Sequence, residues 1–274
     1  VHFGAHQVFE GATTYACLLF LSKAPATQLL FTRVNDLPAW RVDGTAIEGQ
    51  IDSTQVTGAE WNFSVGHGSA LFHKLSALPH KLGDVADIFV GLQTSADDVY
   101  IMDLVNETAS SRSYRLRSKA LGGEHSLERD LFFPLVSGTD VRRYGSLPNR
   151  QYILFPYVVK DNRASLVAFK RIQSQYPKTA EYLLQNKKRL EDREKGRMKG
   201  PNWHGYIYLK NMSRQSHVKL CVPRLVEQLH AAFDQDGSHF LDNVDVGGVT
   251  PKPHFANHSL EYSLALLNSR LLRW

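Results

Sequence analysis

The sequence has few cysteines and no long apolar run. Its 274 residues include two cysteines, Cys17 and Cys221, which stand far apart without the Cys or His spacing of a zinc site or a disulfide framework. No apolar stretch approaches the roughly 18 residues that a membrane span requires, and the first residues do not resemble a signal peptide. These absences exclude a disulfide-rich secreted scaffold and a membrane-embedded protein. We therefore expect reduced thiols, a cytoplasmic location and no membrane partner.

Motifs for catalysis are also missing. A glycine-rich cofactor loop is absent, since residues 65–68 do not follow a convincing strand. An Asn or Asp followed by two prolines and an aromatic is absent too, since residues 154–157 contain one proline and no amide. The acidic residues 191–194 stand among Lys and Arg near a predicted helix end, where intrahelical pairing explains them better than a metal site. We expect no catalytic residue, no cofactor and no metal in this chain.

What the sequence does have is a moderate hydrophobic content and a mild basic excess. Hydrophobic residues make up 43% of the chain, enough to bury a proper core. The net charge is +5 with 22% charged residues, so the excess must be clustered to matter. Residues 177–199 carry eight Lys and Arg against four Asp and Glu, a net charge of +4. Such a cluster indicates either phosphate contact or a solvated helix face, and the sequence leaves both open.

The beginning of the chain has the pattern of an incomplete sheet. Residues 13–21 are β-branched and aromatic at first and then continuously apolar, as in a strand buried on both faces. Only residues 7–9 offer a hairpin partner, and there is no initiator Met, so we expect a larger parent polypeptide cut near Val1. We expect three regions: residues 1–24 as the end of a preceding domain, residues 25–68 as a bridge, and residues 69–274 as the main domain.

Local patterns predict the elements of the main domain. Pro156 lacks an amide donor and therefore marks an edge, a bulge or the end of its strand. The predicted helices are residues 69–82, interrupted by Pro79, residues 174–195 and residues 259–274; the predicted strands are residues 131–136, 152–159, 219–223 and 231–233.

A polar loop stands between two short apolar runs, residues 88–90 and 99–102, which predict a hairpin. Gly91 allows a close backbone approach to a partner. The loop gathers hydrogen-bonding side chains at one tip, namely Gln93, Thr94, Ser95 and Asp97. An ordinary solvated turn is the alternative interpretation.

The order and spacing of several segments resemble the TaqI-like C-terminal target-recognition domain of adenine-specific DNA methyltransferases and type IIG restriction-modification enzymes. No single segment is specific, but together they cover about residues 71–274. The segments are residues 87–94 with Asp97, residues 134–144, residues 152–157, residues 176–193 followed by Trp203, residues 219–224 and residues 266–271.

The resemblance implies an α+β fold with small mixed or antiparallel sheets and packed helices, preceded by an orphan β-hairpin from a Rossmann-like methyltransferase sheet. It implies two partners, double-stranded DNA and an upstream methyltransferase domain of the same polypeptide. The parent enzyme would flip an adenine out of the duplex and methylate it with S-adenosylmethionine, within a restriction-modification or phage-defence system. This fragment lacks the catalytic and cofactor motifs, so it is expected to be inactive alone.

The expected contacts divide into base reading and phosphate gripping. Gln93 suits adenine, and Arg142 or Arg143 suits guanine, while Lys and Arg of the later helix would hold phosphates. The full set of expected DNA-binding residues is Gln93, Thr94, Ser95, Asp97, Arg142, Arg143, Tyr144, Lys187, Arg189, Arg193, Arg197, Lys199, Trp203, Lys210 and Arg224.

Two other functions remain open. A protein-interaction module that docks a subunit of a phage-defence complex would carry an exposed apolar patch in place of a positive cleft. A stand-alone nuclease would require clustered carboxylates, which the sequence does not indicate.

Overall fold

A computed structural model of the chain describes residues 1–12, 14–56, 58, 61, 63–66, 69–107, 112–255, 257 and 259–272. They form two units, Val1–Lys81 and Leu82–Trp274. Helices alternate with several small sheets, which confirms the predicted α+β class. Within the described residues, no helix is both long and apolar enough to cross a membrane.

The first unit is built around one antiparallel strand pair. Its elements are β1 (Gln28–Arg33), α1 (Leu37–Asp43), β2 (Ile47–Asp52), a 3₁₀ turn (Ser53–Gln55) and α2 (Ser69–Ser76). Helix α1 begins where the Asp36 side chain accepts a hydrogen bond from the Ala39 amide at 3.0 Å, and it ends at Gly44 in the left-handed region. Helix α2 confirms the core of the predicted helix of residues 69–82.

The predicted hairpin of residues 7–9 with residues 13–21 is wrong for the described residues. Cys17 makes one isolated bridge with His2, and no strand covers residues 14–21. Tyr15, Phe20 and Leu21 are 71%, 80% and 82% exposed. A strand needs neighbouring strands to pair its backbone N–H and C=O groups. An apolar sequence pattern without such neighbours therefore does not produce a sheet. Thr13 lies outside the described residues. So do residues 67 and 68 of the loop of residues 65–68.

The second unit contains the remaining elements. Its helices are α3 (Leu82–Val85), α4 (Asp97–Tyr100), α5 (Phe169–Gln175), α6 (Pro177–Gln185), α7 (Lys187–Glu191), α8 (Arg193–Gly196) and α9 (Leu260–Leu267), with 3₁₀ turns at Arg129–Leu131, Gly138–Asp140, Met212–Arg214 and Pro253–Phe255. Its strands are β3 (Ala86–Val90), β4 (Ile101–Asn106), β5 (Ser113–Ser118), β6 (Glu124–Glu128), β7 (Phe132–Val136), β8 (Gln151–Leu154), β9 (Tyr157–Lys160), β10 (Arg163–Leu166), β11 (Lys219–Pro223), β12 (Ala232–Asp234), β13 (Phe240–Leu241) and β14 (Val246–Pro251).

These strands form three sheets. An antiparallel sheet has the order β12-β11-β14-β3, a six-stranded sheet has the order β13-β7-β8-β4-β5-β6, and β9 pairs with β10. Only the pair of β13 with β7 is parallel within the six-stranded sheet. Strands β3 and β4 therefore belong to different sheets, and the predicted hairpin of residues 88–90 with residues 99–102 is wrong. Val99 and Tyr100 lie in α4, and the choice of partner strand is a tertiary property that a local pattern does not contain.

Residues 169–196 form four short helices and not one long helix. The sequence predicts one helix over residues 174–195, whereas the structure has α5, α6, α7 and α8. Pro177 begins α6, Asn186 ends it, and Glu194 and Lys195 have positive φ of 46° and 61°. The core beneath these helices contains buried tyrosines whose hydroxyls reach main-chain carbonyls, for example Tyr182 to Val99 O at 2.8 Å.

Other local predictions are confirmed. Strands β7, β11 and β12 lie where apolar runs of the sequence predicted strands. The predicted strand of residues 152–159 is interrupted at Phe155 and Pro156. Helix α9 occupies the first half of the predicted helix of residues 259–274, whose last two residues lie outside the described part.

Candidate nucleic-acid interface

Residues 91–96, named here the Gln93 loop, join β3 to α4. A Cβ atom at Gly91 would lie 2.0 Å from Leu241 O, so only glycine permits this approach. The Leu92 amide donates to the same carbonyl at 2.9 Å. The close approach predicted at Gly91 is thus made to strand β13 of the same chain, and it fixes the base of the loop.

The side chains of the Gln93 loop divide into exposed and buried groups. Gln93 is exposed, whereas Thr94 is fully buried and its hydroxyl donates to the Asp97 carboxylate. Thr94 Oγ1 also accepts the Ala96 amide at 3.1 Å. Ser95 has a φ of 62°, in the left-handed region that is uncommon for non-glycine residues. Thr94 therefore maintains the shape of the turn, and Gln93 and Asp97 are presented to solvent.

Arg193 lies inside the protein. It is 8% exposed, and its guanidinium donates to four main-chain carbonyls at 2.8–3.0 Å. These carbonyls are Leu190 O, Thr94 O, Trp203 O and Gly205 O. Arg193 is not available to a phosphate, and its position holds the Gln93 loop against the helices.

Three exposed cations of the helical region have acidic partners within the protein. Lys187 lies 3.7 Å from Glu191, Arg189 pairs with Asp98 of α4, and Arg197 lies 3.1 Å from Glu194. Exposed ion pairs contribute little to stability, so their cations can exchange a carboxylate for a phosphate at small cost. The Arg189 pair joins α7 to α4, the helix that follows the Gln93 loop.

Trp203 is 5% exposed and packs on Phe169, with the ring centroids 4.9 Å apart. The Lys187 ammonium lies 5.6 Å from the Trp203 ring centroid. A buried indole cannot stack on a nucleotide, so Trp203 supports the fold under the cations. Lys199 and Lys210 are exposed on the segments that flank it.

Residues 141–145, named here the Arg142 turn, form a second group of predicted contacts. The turn follows a 3₁₀ turn whose Asp140 carboxylate accepts the Ser137 amide and hydroxyl at 3.0 and 2.8 Å. The Gly145 amide donates to Arg142 O at 2.9 Å. Tyr144 is 58% exposed and has a φ of 53°. A large side chain in this backbone region is strained, and such strain is found preferentially at functional sites.

The two arginines of the turn are exposed and make no ion pair within the described residues. The Arg143 guanidinium lies 5.0 Å from the Tyr144 ring centroid. Unpaired guanidinium groups beside an exposed aromatic ring offer charge for phosphates and a flat face for bases.

An open cleft of about 440 Å³ adjoins the Arg142 turn. Residues 226–228 and His230 form its other wall, and a His230 ring nitrogen lies 3.3 Å from Val141 O. Arg224 is exposed, and its guanidinium donates to Asn243 O at 3.0 Å. The sequence did not indicate the wall of residues 226–228 and His230, because no spacing pattern joins segments more than 80 residues apart.

Carboxylates lie among these loops. Burial raises the pKa of Asp242, and the nearby charges of Asp245 and Asp97 raise it further. The surface is therefore mixed in sign around the Gln93 loop, which disfavours phosphates there. Amide and carboxylate groups suit the donors and acceptors of base edges. The exposed positive charge lies on the Arg142 turn and on Lys187 and Arg189 of α7.

No protein-family profile matches the chain. The whole chain is similar to the type II restriction enzyme and methyltransferase RM.Eco57I of Escherichia coli, with 26% identity over 290 positions. The match covers 100% of this chain and 29% of that relative, so the chain spans less than a third of its length. This similarity supports a relationship of the chain to the restriction-modification methyltransferases.

Proposed function

We propose that the second unit is the DNA target-recognition region of an adenine-specific DNA methyltransferase. In this role it holds duplex DNA while an upstream catalytic domain of the same polypeptide flips an adenine and methylates it with S-adenosylmethionine. Such an enzyme belongs to a restriction-modification or phage-defence system in the cytoplasm. The observation that carries the proposal is the Arg142 turn, where two arginines without an ion pair among the described residues adjoin a strained, exposed Tyr144.

Within this proposal the two groups of contacts have different tasks. The Arg142 turn and the cations Lys187 and Arg189 contact phosphates, and an arginine of the turn also reads guanine. Gln93 reads a base edge, since its amide is exposed on a loop anchored to β13. The similarity to RM.Eco57I supports a role of this kind at the level of the enzyme class.

The first test is the salt dependence of binding to duplex DNA. Contact with four to six phosphates gives a slope of log affinity against log salt of roughly −4 to −5. Replacing Arg142 and Arg143 with alanine together should reduce the steepness of this slope by about 2. Fluorescence anisotropy of a labelled random-sequence duplex, titrated at several salt concentrations, measures it.

A matched control removes two exposed cations outside the proposed interface, Lys160 and Arg163 of the β9–β10 pair. The slope of this double variant should equal that of the unaltered chain. Equal effects of the two double variants, or a flat slope in the unaltered chain, would contradict the proposal.

The second test separates base reading from phosphate contact. Gln93→Ala should lower the preference for adenine at one position of the bound sequence about 10-fold, because a bidentate amide contact is lost. Lys187→Ala should weaken binding to all duplexes alike. Affinities for a panel of duplexes that differ at single positions measure both effects. If the two variants have the same profile across the panel, the division of tasks is wrong.

A second candidate function rests on the exposed apolar side chains of residues 15–21 in the first unit. Phe20 and Leu21 are more than three-quarters exposed, which is typical of a protein-docking surface. We propose it as the alternative role, with a subunit of a phage-defence complex or the upstream domain as the partner. If the affinity for duplex DNA did not depend on the salt concentration, this exposed apolar segment would favour protein docking over DNA binding.

A further inference from the structure

A second cleft, of about 340 Å³, lies in the second unit and is named here the Tyr157 cleft. Its lining includes the apolar side chains of Leu166 and Leu209 and the cationic side chains of Arg197 and Lys199. This size falls within the range of small-molecule sites in proteins, which combine apolar walls with a few polar groups.

The wall of the Tyr157 cleft is closely packed at Gly205. A Cβ atom at this position would lie 2.9 Å from the Tyr157 hydroxyl and 3.1 Å from a Leu166 methyl group. The Tyr206 amide donates to the Tyr157 hydroxyl at 2.5 Å. The wall is therefore fixed by the fold and does not depend on a mobile side chain.

Three polar groups of the cleft are suited to an anion. Burial raises the pKa of Tyr157 to about 12, so the hydroxyl keeps its proton. This hydroxyl accepts a hydrogen bond from the Tyr206 amide, so its own hydrogen remains free to donate. Within the described residues, this hydrogen has no acceptor. Lys199 is exposed and has no acidic partner among the residues that the structure describes. Arg197 lies 3.1 Å from Glu194.

We propose that the Tyr157 cleft binds a nucleoside phosphate, with the phosphate at Lys199 and Arg197 and the base against Leu166 and Leu209. A ligand that satisfies this lining needs a negative end and a flat apolar body, and a nucleoside phosphate has both. The ligand is either a free nucleotide or an unpaired nucleotide of a strand. The proposal goes beyond duplex binding: Arg197 and Lys199 belong to the expected DNA-binding set, but here they hold a different ligand in a cleft of their own.

The test is calorimetric titration of the 274-residue chain with adenosine 5′-monophosphate, adenosine and inorganic phosphate. The monophosphate should bind saturably and more tightly than either part alone. Lys199→Gln should weaken its binding about 10-fold, the effect of losing one charge-assisted contact. Ala164→Leu, which adds volume to the lining, should weaken it as well.

The matched control is Lys195→Gln, which removes the same charge from a neighbouring exposed residue that does not line the cleft. Absence of monophosphate binding, phosphate binding as tightly as the monophosphate, or equal effects of the two lysine variants would overturn the proposal. If circular dichroism finds Ala164→Leu unfolded, the lysine pair still decides.

The source of the ligand is determined with a single-stranded oligonucleotide of adenines. Tighter binding of the oligonucleotide than of the free monophosphate, lost in Lys199→Gln, assigns the cleft to an unpaired nucleotide. The opposite order assigns it to a free nucleotide. Neither result depends on affinity for duplex DNA, so failure here and failure of the target-recognition role are distinguishable.

Discussion

Replacing Arg193 with alanine is expected to lower the free energy of unfolding by about 3–5 kcal/mol, as for the loss of a buried hydrogen-bond network. The variant loses four hydrogen bonds from a buried cation to main-chain carbonyls on three separate segments. Gly205 O would keep its hydrogen bond from the Tyr100 hydroxyl at 3.2 Å, but Leu190 O, Thr94 O and Trp203 O would each lose the guanidinium donor, which costs more than the bonds contribute. Urea denaturation followed by circular dichroism measures the loss.

Arg189→Ala is the matched control for Arg193. The Arg189 side chain is 56% exposed and makes one surface ion pair with Asp98, so its loss should cost less than about 1 kcal/mol. A similar change in the urea midpoint for the two variants would mean that Arg193 is not a structural cation. It would then return to the set of residues available for phosphate contact.

The second large effect is expected at the buried ion pair of β11 and β12. Lys219 and Asp234 side chains are both 0% exposed, and Lys219 Nζ lies 2.5 Å from Asp234 Oδ2. Lys219→Met or Asp234→Asn should each cost about 3–5 kcal/mol, because the other charge is left buried without its partner. The double variant Lys219→Met with Asp234→Asn should recover part of this loss, and the double-mutant cycle formed with the two single variants in urea measures the coupling.

The same pair predicts acid sensitivity. Desolvation by burial raises the pKa of Asp234, but the His239 hydrogen bond and the charge of Lys219 outweigh it, so the pKa lies below its ordinary value. A carboxylate with a lowered folded pKa contributes stability that is complete above about pH 4 and is lost as the pH falls further. The stability of Asp234→Asn should therefore fall less between pH 5 and about pH 3 than that of the unaltered chain. An equal fall in both would contradict this assignment.

Much of the local structure could be predicted from the sequence. Strands β7 and β11 follow from short apolar runs, and the break after β8 follows from the missing donor of Pro156. These features depend on the chemistry of a few neighbouring residues, which the sequence contains directly. The pairing of β3 with β14 and of β4 with β8 depends on residues far apart in the chain, so local patterns could not predict it.

The candidate site was predictable to a similar extent. The sequence indicated the polarity of the Gln93 loop and the basic character of the Arg142 turn, and both have exposed side chains. It did not distinguish Arg193 and Thr94, which are buried, from their exposed neighbours. Burial of a charged side chain depends on carbonyls supplied by distant segments, and composition or spacing does not encode those contacts.

The proposed interface differs from a uniformly basic surface. The Arg142 turn carries two exposed arginines, whereas Asp97, Asp242 and Asp245 place negative charge near the Gln93 loop. Positive charge attracts duplex DNA of any sequence, and acidic and amide groups discriminate among base edges. The proposed function therefore requires that the chain bind some DNA sequences more tightly than others, and not only that it bind DNA.

Selection of duplexes from a random-sequence pool by the 274-residue chain tests that requirement most directly. Sequencing of the retained duplexes should recover a short consensus that contains adenine. The consensus should lose one position with Gln93→Ala and keep all positions with Lys187→Ala. A retained pool with the composition of the starting pool would contradict target recognition by this chain.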